Sequence, residues 1–140
     1  MKALPIAALS GALIATCAFV VARYVNVNTA MPVDWSSAQR VEMRMIEYEF
    51  LPNQLRLRRG LPYQLHLVNA GKEGHDFTAS DFFSSVQVKN KDSLSESGNS
   101  VFLHPEQITD IYFIAQNSGL FASRCADHDW AGMTATIVID

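Results

Sequence analysis

Apolar and polar residues alternate along several short stretches of the chain. Val41–Phe50 alternates roughly, Gln54–Arg58 alternates leucines with polar residues, and Tyr63–Asn69 sets Leu65 and Leu67 on one face. A period of two is that of a half-buried strand, because successive side chains leave opposite faces of the pleat. Leu51-Pro52-Asn53 and Arg59-Gly60-Leu61-Pro62 separate these stretches and are good turn material. A further strand starts at His75 after Asn69-Ala70-Gly71. Asp110–Ala115, Phe121–Cys125 and Thr134–Ile139 read as the closing strands, with Asn117-Ser118-Gly119 turning between the first two. Ser80-Asp81-Phe82-Phe83 predicts a single helical turn capped by Ser80, and the polar run Lys89–Ser100 predicts an exposed loop. Many short strands at regular spacing predict an all-β domain, a β-sandwich, over residues 41–140.

The amino-terminal residues break this pattern. Ala3–Ala22 holds sixteen hydrophobic residues in twenty and no charge, and Lys2 precedes it. That order of charge and apolar run is the signature of an export signal, and the run is also just long enough to span a bilayer. Residues 1–23 are therefore read as a signal peptide or an N-terminal membrane anchor helix. Val20-Val21-Ala22 and Thr16-Cys17-Ala18 offer small-residue cleavage sites, and Ile14-Ala15-Thr16-Cys17 is a weak match to a lipoprotein box. Each reading places the domain in the periplasm or elsewhere outside the cytoplasm, soluble or tethered through residues 3–22. Residues 24–40 are polar and without period, and read as a linker.

Composition narrows the function classes. The 140 residues suffice for one ordinary domain. The whole chain is 49% hydrophobic; beyond residue 22 the share falls to 51 of 118 residues, typical of a soluble domain. Eleven basic against fourteen acidic residues give a net charge of −3, which argues against nucleic-acid binding. Two cysteines are too few for a disulfide scaffold or a four-thiolate metal site. One of them, Cys17, lies in the leader, so Cys125 stands alone beyond it.

The chemistry concentrates in Cys125-Ala-Asp-His128-Asp-Trp-Ala-Gly-Met133, a C-x2-H-x4-M pattern between two predicted strands. His75 lies fifty positions earlier. A thiolate, two imidazoles and a thioether form a mixed soft and borderline donor set, which suits copper in both common oxidation states. The loop between neighbouring strands brings three donors round one ion, and the fourth is expected from across the sandwich. Taken singly, Cys125 reads as a buried core cysteine and Met133 as core. Zinc is a weaker reading because thioether is a poor ligand for it.

The segment Ser118-Gly119-Leu120-Phe121…Cys125…His128…Gly132-Met133-Thr-Ala-Thr-Ile-Val-Ile resembles the last two strands and ligand loop of the cupredoxins, the small blue copper proteins typified by plastocyanin, pseudoazurin and azurin. Glu49-Phe50-Leu51-Pro52…Leu55-Arg56-Leu57-Arg58-Arg59-Gly60 resembles their opening hairpin, and Val68-Asn69…His75-Asp76-Phe77 their first ligand region. The resemblance spans residues 42–139. It implies a Greek-key, cupredoxin-like sandwich with one type 1 copper bound by His75, Cys125, His128 and Met133. It further implies a monomeric electron carrier rather than an enzyme, working between a donor and an acceptor redox protein such as a c-type cytochrome or a membrane redox complex. Copper storage or delivery is the alternative function. One departure is Asp76, where plastocyanin has Asn after the first ligand histidine; it places a carboxylate close to the copper.

Of the remaining candidates, His66 reads as surface and His104 as part of an extended turn before Pro105. Phe82 and Phe83 read as core. Trp130, inside the ligand loop, is expected in an apolar patch at the site's edge, with Asp127 and Asp129 making that rim acidic.

Overall fold

Ten short strands form where the sequence alternates. The computed structural model describes residues 32–140, so the leader, its cleavage sites, Cys17 and the first part of the linker lie outside the described residues. β1 (Gln39–Ile46) buries Met43 and Met45 and exposes Glu42 and Arg44. β2 (Glu49–Leu51), β3 (Gln54–Leu57), β4 (Pro62–Asn69) and β5 (His75–Thr78) follow. A six-residue helix, α1 (Ser80–Ser85), leads into β6 (Val86–Val88). β7 (Ser100–Leu103), β8 (Ile108–Ala115), β9 (Gly119–Arg124) and β10 (Thr134–Ile139) complete the chain.

The strands make two five-stranded sheets, ordered β2-β1-β4-β8-β6 and β3-β10-β9-β5-β7. The chain passes from one sheet to the other between β2 and β3, at Pro52-Asn53, where proline and asparagine favour a turn over continued pairing. β1 then lies parallel to β4 and β3 parallel to β10, while β4–β8 and β9–β10 pair antiparallel. The result is a two-sheet β-sandwich, as the alternation predicts. Phe50, Phe77, Phe82 and Phe113 are fully buried between the sheets, with Phe82 edge-on to Phe113 at 5.1 Å. Burial of one such ring stabilises the fold by about 1.5–3 kcal/mol.

Several elements differ from the sequence reading. Val41–Phe50 is two strands, because the chain reverses at Glu47–Tyr48 and pairs Arg44 with Leu51. No glycine, proline or asparagine marks that reversal. β1 starts at Gln39, two residues earlier than expected. Val86–Val88 and Ser100–Leu103 are additional strands, on either side of the polar run expected to form a loop. The loop between them contains a 3-10 turn at Lys91–Ser93 and packs Leu94 against the core. Ser80 is not the cap of α1: it is the first helical residue, and Ala79 precedes it without a side-chain cap. Burial of Phe82 and Phe83 holds that turn instead, as core residues. Among the described residues no helix is long and apolar enough to cross a membrane.

Candidate metal centre

One end of the sandwich is organised by Asn69, fully buried at the end of β4. Its Nδ2 donates to the carbonyls of Glu73 (2.8 Å) and Leu103 (2.9 Å), and its Oδ1 accepts from the Gly71 N–H (2.9 Å). These bonds shape the turn 70–74 that delivers His75 to the start of β5. Gly71 suits a close approach there: a Cβ would come within 2.5 Å of Glu47 Oε1 and 3.1 Å of His75 Nε2. The opposite wall is the loop between β9 and β10. The Cys125 N–H donates to the Met133 carbonyl (3.0 Å), and the His128 N–H donates to the Cys125 carbonyl (3.2 Å). A 3-10 turn, Asp129–Ala131, is closed by Gly132 at φ +87°, a left-handed conformation natural to glycine.

Three donor atoms converge. Cys125 Sγ lies 3.4 Å from His128 Nδ1 and 3.9 Å from His75 Nδ1, and the two Nδ1 atoms are 3.2 Å apart. All three fall within 4.8 Å of one another. His75, Cys125 and Met133 are fully buried, whereas the His128 side chain keeps 13% of its surface exposed. Met133 is tied to the cluster by its backbone, its N–H donating to the His128 carbonyl (3.3 Å) as its own carbonyl serves Cys125. His75 Nε2 is buried without a hydrogen-bond partner.

Burial, and then the neighbouring His128, push the His75 pKa down; burial is also the main cause that pushes the Cys125 thiol up. Both groups therefore resist charging on their own, and a cation among them offsets the cost of a buried thiolate. Asp76 adds negative charge: its Oδ2 accepts from the Ala126 N–H (2.8 Å) and lies 3.5 Å from Cys125 Sγ. The donor types fit a copper ion: Cu(I) favours sulfur and Cu(II) accepts imidazole.

His75 does not come from across the sandwich as expected. β5 sits beside β9 in the same sheet, with Thr78 opposite Arg124. The cluster is thus built along one sheet end, where adjacent strands keep donors a few ångströms apart. His66 is half-buried rather than free surface, because its Nδ1 meets Asp110 at 2.6 Å. His104 is exposed in the turn before β8, and its N–H donates to Gln107 Oε1 (2.9 Å). Neither belongs to the cluster. Trp130 is 77% exposed, and Tyr48 bridges it to the site, its ring 5.9 Å from Trp130 and 4.8 Å from His128. Asp127 is exposed, and Asp129 pairs with Arg124 at 2.5 Å. Sequence reasoning missed Glu47, Tyr48 and Glu73. Only Glu73, two residues before His75, had a positional signal.

No protein-family profile matches the chain, and no curated protein sequence matches it significantly. Among solved structures it is similar to auracyanin B, at 21% identity over 74% of this chain and 90% of that one, with a TM-score of 0.56. It is also similar to dithionite-reduced auracyanin from the photosynthetic bacterium Roseiflexus castenholzii, at 13% identity over 74% and 98%, with a TM-score of 0.56. A multi-copper oxidase from Pseudomonas thermotolerans matches at 17% identity over 81% of this chain and 32% of that chain, with a TM-score of 0.60. At these identities the likeness is one of fold.

Proposed function

We propose that this chain is an electron carrier that holds one type 1 copper with His75, Cys125, His128 and Met133. The convergence of Cys125 Sγ with the Nδ1 atoms of His75 and His128 within 4.8 Å carries the reading. When bound, copper supplies a one-electron couple between Cu(II) and Cu(I). The Cys125 thiolate would be its strongest donor, the His75 and His128 imidazoles would complete the hold, and the buried Met133 thioether would be a weak fourth donor that tunes the potential. Neighbouring strands and the loop's backbone hydrogen bonds hold these side chains in place, so little must rearrange when an electron arrives.

His128 is the one donor of the convergent three that reaches the surface. With Tyr48 and Trp130 beside it, its ring forms the port for electrons. The carboxylates of Glu47, Glu73 and Asp127 around this rim favour partners with a positively charged face, steered by charge. A donor and an acceptor redox protein, such as a c-type cytochrome or a membrane complex, would meet the monomer there. The apolar run Ala3–Ala22 behind Lys2 supports work in the periplasm or elsewhere outside the cytoplasm, either free or tethered. Electron carriage is favoured over oxidase chemistry because His66 and His104, the other two of the chain's four histidines, lie apart from the cluster.

The test is optical. The purified chain titrated with Cu(II) should develop an intense blue thiolate-to-copper charge-transfer band at one copper per chain, reversibly bleached by a one-electron reductant. Cys125→Ser should fold and lose the band. Folded wild-type protein that takes up copper without that band sinks the reading.

A further inference from the structure

Two carboxylates that are not donors to the cluster stand behind its imidazoles. Glu73 Oε2 lies 3.2 Å from His128 Nε2, the ring nitrogen remote from Cys125. Glu47 Oε1 lies 3.8 Å from His75 Nε2, outside hydrogen-bond range of that buried nitrogen. Glu47 has a different occupation: its carboxylate accepts the backbone N–H groups of Lys72 and Glu73, the latter at 3.0 Å. The Glu73 carbonyl is held in turn by Asn69 Nδ2 at 2.8 Å. Glu73 is thus pinned at both its backbone N–H and its carbonyl, although its side chain is 53% exposed. An exposed glutamate on a free loop samples many rotamers and gains little from an ion pair. This one is presented to His128 by a turn tied to β1, β4 and β7.

The consequence follows from imidazole chemistry. A neutral imidazole carries one N–H. When Nε2 carries it and donates to a carboxylate, Nδ1 is left with a bare lone pair, and Nδ1 is the atom aimed at Cys125 Sγ. The carboxylate also makes the ring a more basic donor, which favours the more highly charged metal ion.

We propose that Glu73 is a positioning residue of the centre: it holds His128 in the Nε2–H tautomer with Nδ1 free to bind copper, and Glu47 fixes Glu73 for that task. This rests on the copper reading above, but its first test does not. In the copper-free full chain at alkaline pH, long-range 1H–15N NMR should show His128 as the Nε2–H tautomer. Glu73→Ala should raise the Nδ1–H form to a comparable population. Glu73→Gln keeps an acceptor oxygen and should keep the tautomer. In the loaded protein, Glu73→Ala should weaken Cu(II) binding about 10-fold or more and Cu(I) binding less, so the potential rises. Glu73→Gln should raise it by a smaller amount. Glu49→Gln removes the same charge from an exposed position on β2 that is ion-paired to neither imidazole, and should move neither readout.

An unchanged His128 tautomer in Glu73→Ala overturns the proposal, as does a potential shift in Glu49→Gln equal to that in Glu73→Gln. Absence of the blue band defeats the copper reading instead, and the tautomer experiment still decides the Glu73–His128 contact.

Discussion

Asn69→Ala tests whether one buried amide organises the end of the sandwich that carries the candidate metal centre. The substitution removes three side-chain hydrogen bonds, to the Glu73 carbonyl, the Leu103 carbonyl and the Gly71 N–H. Each such bond contributes about 1 kcal/mol net, so the loss should be about 3 kcal/mol. For a domain of this size about 4 °C accompanies each kcal/mol, which puts the fall in Tm at about 12 °C. Urea denaturation of the copper-free full chain measures the free-energy loss, with an unchanged m-value showing that only stability has moved. Asn69→Asp is the sharper variant. It keeps the acceptor for Gly71 but donates to neither carbonyl and buries a charge, so it should be no more stable than Asn69→Ala. A loss below about 1 kcal/mol in Asn69→Ala would refute the reasoning, because the turn 70–74 would then be held by something other than this amide.

Met133→Leu nearly conserves volume in a fully buried position, so stability should change by less than about 1.5 kcal/mol. The copper-loaded variant should stay blue with a raised potential, read by redox titration; an unchanged potential would remove Met133 from the ligand set. Asp110 gives a pH-dependent prediction away from the metal centre. Burial pushes its pKa up, but hydrogen bonds from His66 and Gln64 and the charges of His66 and Arg40 outweigh it, leaving the carboxyl below its ordinary 3.8. A depressed carboxylate stabilises the fold above its unfolded value and loses that contribution as pH falls through the folded one. Wild-type stability should therefore drop on acidification below about pH 4, and Asp110→Asn should flatten that part of the curve in denaturation series. An identical acid slope in both proteins would show that the pair with His66 contributes nothing.

The candidate metal centre was legible because the donor types are chemically rare and three of them are close in sequence. Cys125, His128 and Met133 share one loop, and a loop between neighbouring strands leaves them few arrangements. His75 was identifiable by type, but its route into the site was misjudged. Nothing local states that β5 pairs with β9, since pairing depends on the whole strand order. Glu47 and Tyr48 were invisible for a related reason. Their reversal carries none of the usual turn residues, and their closeness to His75 and His128 arises only once β1 and β2 fold over that end.

Residue order alone was enough for the sandwich, the burial of Leu65, Leu67, Phe82 and Phe83, and the four candidate ligands. Alternation dictates which face of a strand is buried, and donor chemistry restricts the metal. Tertiary structure alone decided which sheet supplies His75, that Asn69 shapes the turn before it, and that Glu73 stands behind His128. The longest of these relations joins Glu73 to His128, 55 residues further along the chain (128 − 73). Such contacts depend on strand order and packing, which no local pattern of residues encodes.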